Sequence, residues 1–159
     1  MAQGKTNAMR ILDTKKVNYH LMTYDNQDGK IDGVSVAQKI NRNVKEVYKT
    51  LVAHGSSKQL YVFIIPVEAE LDLKKAAKAA GEKKIEMIAV KDIQKLTGYI
   101  RGGCSPVGMK KQYPTFIAAQ AAELESIIVS GGKIGVQMEL RVEDLAAVIQ
   151  AKLEDICKE

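Results

Sequence analysis

The chain has no tryptophan, and only three prolines, two cysteines and two histidines among its 159 residues. Each scarcity removes a class of chemistry. Aromatic residues are 5% of the total, so the core must be aliphatic, and an extended platform that stacks successive unpaired bases is disfavoured. Cys104 and Cys157 form no CxxC pair, and His20 and His54 no HxxxH pair, so the spacing of a zinc site is missing and no metal is expected. Two scattered cysteines suit a reducing cytosol, and a cytoplasmic location follows as an expectation. No run reaches the apolar length of a membrane span, and the polar start MAQGKTNAMR lacks the apolar stretch of a signal peptide.

What is present fits an ordinary folded protein. Hydrophobic residues make up 46%, enough for one substantial core, and a single domain over residues 1–159 is expected. The formal net charge is +5 and the pI about 9.1. Such an excess fits a polyanionic partner such as RNA as readily as an unremarkable basic surface.

Periodicity gives a coarse outline. Ala8, Ile11 and Leu12 mark a short amphipathic helix over residues 5–16, and alternation around Tyr19 to Tyr24 marks a strand. DNQDGKIDG begins like a calcium loop with Asp25, Asp28 and Gly29, but its twelfth position is Val36 rather than Glu, so a solvated loop is expected. GVSVAQKI reads as a helix. EVYKTLVA and LYVFIIP read as strands joined through HGSSKQ. LDLKKAAKAAG is a helix capped by Gly81, IEMIAV a short strand, and KDIQKLTG a helix closed by Gly98. TFIAA is a strand, and IIVSGGKIGVQMEL two strands flanking a Gly-Gly turn. VEDLAAVIQAKLEDI reads as one closing helix with Leu145, Ile149, Leu153 and Ile156 on a face. Hairpins beside helix crossovers imply an α+β domain with a mixed sheet.

The stretch GYIRGGCSPVG, residues 98–108, is where chemistry could reside. A nucleophilic Cys104 would need a base to lower its pKa, and neither histidine is local to it. A serine elbow needs G-x-S-x-G, whereas here the second glycine comes one place late and Pro106 opposes the helix that should follow. A phosphate loop needs Lys directly after Gly108, where Met109 intervenes, and no Ser or Thr follows. Two readings remain: a plain connecting loop, or a backbone wall whose N–H groups face a carbonyl that gains charge during acyl transfer. Lys49 stands in a strand apolar on both faces. It is either a cation awaiting an anionic ligand or an edge lysine that snorkels. Lys74, Lys75, Lys78, Lys83 and Lys84 read as a solvated face, while Lys110 and Lys111 follow the glycine loop, where a phosphate could be met.

Four segments in order, VYKTLVA, LDLKKAAKAAGEKKIEM, TGYIRGGCSPVGMKKQYPT and IIVSGGKIGVQMEL, resemble the YbaK (EbsC) family of aminoacyl-tRNA deacylases, in particular its Cys-tRNA(Pro)/Cys-tRNA(Cys) deacylase branch. The likeness runs from about residue 8 to 156. That family is related to the editing domain of prolyl-tRNA synthetases. The resemblance implies a mixed, partly closed, barrel-like sheet of six to seven strands surrounded by helices. It also implies a trans-editing deacylase that needs no cofactor, acts on the aminoacylated 3′ end of tRNA, and works beside prolyl-tRNA synthetase.

Carried over by position, the resemblance makes Lys49 the lysine that positions the aminoacylated terminal adenosine. Gly102 and Gly103 become the pair whose backbone approaches the substrate carbonyl. Tyr24, Thr50, Ser105, Pro106 and Ser130 line or shape the acyl pocket, and Ile31 stands in for a family phenylalanine. Lys110, Lys111 and Lys133 are the expected nucleic-acid contacts. Cys104 occupies a position that is commonly aliphatic in the family. The implied reaction needs no protein nucleophile, because a cysteinyl ester brings its own thiol. Two alternatives accompany this expectation: a water-using deacylase for another small amino acid such as alanine, or a module that binds tRNA or a synthetase without turnover.

Overall fold

The computed structural model describes residues 5–159. Chain order is α1 (Asn7–Thr14), β1 (His20–Thr23), α2 (Gly33–Lys39), β2 (Tyr48–Gly55), β3 (Leu60–Pro66), α3 (Leu73–Ala80) and β4 (Ile85–Met87). Then come α4 (Ile93–Thr97), β5 (Thr115–Ala118), β6 (Ser126–Ser130), β7 (Val136–Arg141), α5 (Val142–Ile149) and β8 (Lys152–Glu154), with 3-10 turns at Val90–Asp92 and Ala119–Glu123. Local chemistry explains most boundaries. The Thr6, Asp32 and Asp72 side chains accept from first-turn amides of α1, α2 and α3, and Gly81 and Gly98 close α3 and α4 in the left-handed conformation.

The strands form two sheets, one ordered β1-β7-β6 and one ordered β4-β2-β3-β5-β8. The first is antiparallel throughout. The second is mixed, because β3 pairs β5 and β5 pairs β8 in parallel. The mixed α+β expectation therefore holds, but the barrel does not. Neither sheet closes on itself, and β6 meets β2 through the single Val47↔Ile128 bridge. The reason lies in β2, which spends its ladder on β3 along its whole length and on β4 from Ala53 onward. On the β4 side its edge from Tyr48 to Leu51 stays unpaired, so the two sheets part beyond that bridge instead of closing.

The end of the chain also departs from its pattern. The helix predicted to run through residue 156 stops at Ile149, Gln150 turns with φ 54°, and Lys152–Glu154 joins β5 as an edge strand. The open edge of β5 offers backbone partners that a further helical turn could not supply. Leu153 and Ile156 keep their inward role from this extended backbone, Ile156 being fully buried.

The core is mainly but not wholly aliphatic: Ile64, Ile65, Ile117, Ile127 and Leu145 have no exposure, while Tyr61, Phe63 and Phe116 form an aromatic cluster within it, Phe63 stacking on Phe116 at 5.7 Å between centroids. Arg42, just after α2, bonds both oxygens of Glu139 on β7 at 2.9 and 2.8 Å and reaches Glu46 at 3.3 Å. This link fixes the turn before β2 against the first sheet. Among the described residues, no helix is long and apolar enough to cross a membrane.

Candidate active site

Over its first half β2 is paired on one edge only. β3 matches it from Tyr48, whereas the other edge is free between the Val47↔Ile128 bridge and Val52, which Ile88 N–H reaches at 3.2 Å. A cleft of about 120 Å³ lies against this stretch. Val47 and Lys49 line it, and so do Tyr48 and Thr50. Residues of both parities can share one cleft only where it sits at a strand's edge rather than over one face.

The cleft carries polar groups that the protein does not satisfy. Lys49 is half-buried and makes no ion pair or hydrogen bond among the described residues. The Thr50 hydroxyl is buried without a partner. Leaving such a group unmade costs about 1–3 kcal/mol, a cost that functional sites tolerate when a ligand supplies the partner. Gln137 on β7 is 6% exposed, and its carboxamide likewise bonds no described residue. Opposite it in register is Ser130, whose Oγ accepts the Gly132 N–H at 3.2 Å and keeps its own hydrogen to donate.

The glycine loop closes the far wall, and its two glycines differ. Gly102 lines the cleft at φ 87°, and an added Cβ would stand 2.7 Å from Ile31 Cδ1. Its N–H has no partner among the described residues. The Gly103 N–H is already spent on the Ile100 carbonyl at 2.9 Å. What Gly103 provides is closeness, since a Cβ there would meet the Lys133 and Ile134 backbone at 2.9 Å. Ser105 is fully buried, its Oγ accepting the Val107 N–H, so it shapes the loop from within. Pro106 lines a different hollow, shared with Lys110 and Lys111.

Cys104 also lines the cleft, yet burial pushes its thiol up to about 11. It is therefore a neutral thiol near pH 7, and its nearest polar partner is the Thr97 hydroxyl at 3.9 Å. His54 pairs loosely with Glu86 at 3.8 Å, and neither histidine lines the cleft. Among the described residues no three of His, Cys, Asp or Glu converge as a metal ion would require.

The loop resembling a calcium site holds a cation of the protein's own. Lys39 Nζ donates to the Asp25 carbonyl at 2.7 Å, Asp28 Oδ1 at 2.7 Å and the Lys30 carbonyl at 3.0 Å. The ammonium holds the Asp28 carboxyl below its usual range. It also lies 5.8 Å from the Tyr24 ring centroid. The cage sets the segment that ends in Ile31, the cleft's opposite wall. Tyr24 itself does not line the cleft, although its hydroxyl is buried and unpartnered.

Of the residues singled out from sequence, Lys49, Thr50, Gly102, Ile31 and Ser130 thus converge on one cleft. Gly103, Ser105 and Lys133 stand behind its wall or in the β6–β7 turn, whereas Lys110 and Lys111 face another hollow, where Lys110 Nζ donates to the Lys95 carbonyl at 3.0 Å. Gln137 and Lys39 were not singled out. Gln137 was recoverable in principle, because the Gly-Gly hairpin register sets it opposite Ser130.

Residues 32–148 match the aminoacyl-tRNA editing domain family. The chain belongs to that family. It is 44% identical over 154 residues, covering 97% of this chain and 94% of the relative, to the Enterococcus faecalis protein EbsC, described as a candidate Cys-tRNA(Pro)/Cys-tRNA(Cys) deacylase. Two solved structures share the fold. One is a candidate trans-editing enzyme for prolyl tRNA synthetase, with TM-score 0.83 and 21% identity, covering 99% of this chain and all of that one. The other is the hypothetical protein APE2540, with TM-score 0.86 and 18% identity, covering 96% of this chain and 99% of that one.

Proposed function

We propose that this editing-family protein is a trans-acting deacylase that removes cysteine from mischarged Cys-tRNA(Pro), and from Cys-tRNA(Cys) as a second substrate. The observation that carries the reading is the coincidence of an unpaired Lys49, an unpartnered Thr50 hydroxyl and the open amide of Gly102 on one cleft of about 120 Å³. So small a space suits an acyl group of cysteine's size, well below the ~300 Å³ at which drug-sized sites begin.

The ester carbonyl sits against the Gly102 amide, with Lys49 near the oxygen that gains charge. Thr50, Ser130 and Gln137 hold the amino acid's polar groups, and Ile31 covers its side chain. Gly103, Ser105, Pro106 and Tyr24 fix the walls. No protein nucleophile is called on. The substrate sulfur attacks its own carbonyl carbon, a C–S bond forms, the C–O bond to the ribose breaks, and the proton lost by the thiol ends on the ribose oxygen. The product is cysteine thiolactone. Holding the ester in attack geometry can supply ~7–11 kcal/mol of the barrier, and aimed donors stabilise the oxyanion.

Lys110, Lys111 and Lys133 are assigned to phosphates of the tRNA body. Prolyl-tRNA synthetase is the partner that would lend tRNA selectivity, in the cytoplasm where charged tRNA is made. The test is deacylation of labelled Cys-tRNA(Pro) by wild type and Lys49→Ala. Turnover by wild type that falls about a hundredfold in the variant supports the reading. Binding without turnover by wild type supports a non-catalytic module instead.

A further inference from the structure

A separate hollow of about 290 Å³ opens at the other end of the β2–β3 ladder's first pair, and Tyr48 alone links its lining to that of the acyl cleft. β3 and β5 run parallel, and the hollow sits where both strands end. Pro66 closes β3 and stands opposite Tyr48 in register, Glu68 and Ala69 follow it, and Glu123 belongs to the 3-10 turn after β5. Crevices at the carboxyl ends of parallel strands are frequent ligand sites, because neighbouring loops part there.

The wall of this hollow contains an unsatisfied polar group. Tyr48 is 2% exposed, and its hydroxyl is buried without a partner among the described residues. Burial, with the Cys157 thiol and the Glu123 carboxylate nearby, pushes the phenol up to about 12, so it keeps its proton near pH 7. Glu123 lines this hollow and not the acyl cleft, so the hydroxyl belongs to this side. An unmade bond of that kind is a standing cost that a ligand removes. Lys45, Glu68 and Glu123 are exposed, and none has an ion pair among the described residues. Pro66, Ala69 and Leu124 supply the apolar part of the wall.

We propose that this hollow binds a free α-amino acid with an aliphatic side chain. One cation and two carboxylates on one wall match a zwitterion. The ligand carboxylate goes to Lys45 and the Tyr48 hydroxyl, its ammonium to Glu68 and Glu123, and its side chain to Pro66, Ala69 and Leu124. A plain anion would face the two carboxylates, and a plain cation would face Lys45. The volume is close to the ~300 Å³ at which small-molecule sites begin and more than twice that of the acyl cleft, so a side chain larger than cysteine's fits. The site needs neither tRNA nor turnover, and it stands or falls independently of the deacylase reading.

The experiment titrates L-leucine into the whole protein labelled with ¹⁵N, with the amide signals assigned. Binding is expected at millimolar concentration or below, with the Glu68, Ala69 and Glu123 amides moving. Lys45→Met and Glu123→Gln, both at exposed positions, should each weaken binding about tenfold, as the loss of one charge-assisted hydrogen bond does. Tyr48→Phe should weaken it about threefold to tenfold and leave the free protein at least as stable as wild type, because no partner within the protein is lost. N-acetyl-leucine and leucinamide, each lacking one charge, should bind at least about tenfold more weakly than leucine. Lys91→Met, at an exposed lysine elsewhere, should bind leucine as wild type does. The proposal is overturned by silent amides at millimolar leucine, by shifts confined to Ile31, Gly102 and Ser130, or by equal binding of either derivative. A Tyr48→Phe protein that loses stability yet binds leucine unchanged overturns it as well.

Discussion

Replacing Gly102 by alanine perturbs the cleft in a way the structure can price in advance. At φ 87° an L-residue is strained by about 1–2 kcal/mol. The new methyl would stand 2.7 Å from Ile31 Cδ1 and 3.4 Å from Ile134 Cγ1. Both contacts are with side-chain carbons, and the nearer is a chain end that can turn away, so the stability loss should stay near the backbone strain alone. For a protein of this size that is a drop in Tm of roughly 2–8 °C. Gly81→Ala is the control, because Gly81 has φ 72° and nothing within 4 Å of its Cβ position. The two variants should lose similar stability in urea titrations. Only Gly102→Ala should lose turnover, by about tenfold to a hundredfold, since its methyl displaces the Ile31 wall and misplaces the ester. Gly103→Ala should be the most disruptive of the three, because its methyl meets backbone atoms that cannot swing aside. A Gly102→Ala protein with unaltered turnover would refute the assignment of this backbone to the acyl site.

Lys39→Met should leave the global Tm nearly intact while the Gly29 and Ile31 amides exchange faster with deuterium, by up to about a hundredfold for two lost carbonyl bonds to a cation; unchanged exchange would mean that the ammonium does not hold the loop. Cys104→Ala should keep turnover within about twofold of wild type, and a large loss would restore the thiol as a participant. Because the folded Cys104 thiol ionises only near 11 against 9 when unfolded, stability should decline as pH rises above 9, and less so in Cys104→Ala; chemical denaturation at stepped pH reads both. Glu82 runs the other way. Its carboxylate accepts from the Ser57 and Tyr61 hydroxyls, chiefly Ser57, and is depressed to about 2, so its stabilising effect is complete above 4.5 and fades as pH falls toward 2. Glu82→Gln should flatten that acid limb.

The sequence was most informative where one residue type has one physical reason to be present. Gly81 and Gly98 were legible as helix ends because few other residues tolerate the left-handed turn. Lys49 was legible as a cation in an apolar strand, although alternation alone could not reveal that the cleft lies at the strand's edge and therefore takes Lys49 and Thr50 together. Three features escaped for a shared reason: they depend on pairing between distant segments. The α5 periodicity continues through Leu153 and Ile156, and only the open edge of β5 decides that the chain becomes a strand there. Closure into a barrel was expected and does not occur, because it turns on how far β2 and β6 pair, which is one bridge. Gln137 alternates with Val136 and Met138 as a solvent-facing residue would, and is buried only because the hairpin folds it against the cleft. The glycine pair was legible as a unit but not as two parts, one an open amide and the other a close approach.

The most direct test compares single-turnover rates on cysteinyl and seryl esters of the same tRNA, with the released product identified by mass. Attack by the substrate's own sulfur predicts that the cysteinyl ester is cleaved far faster and gives cysteine thiolactone. Equal rates on the two esters, with free amino acid released from both, would contradict it.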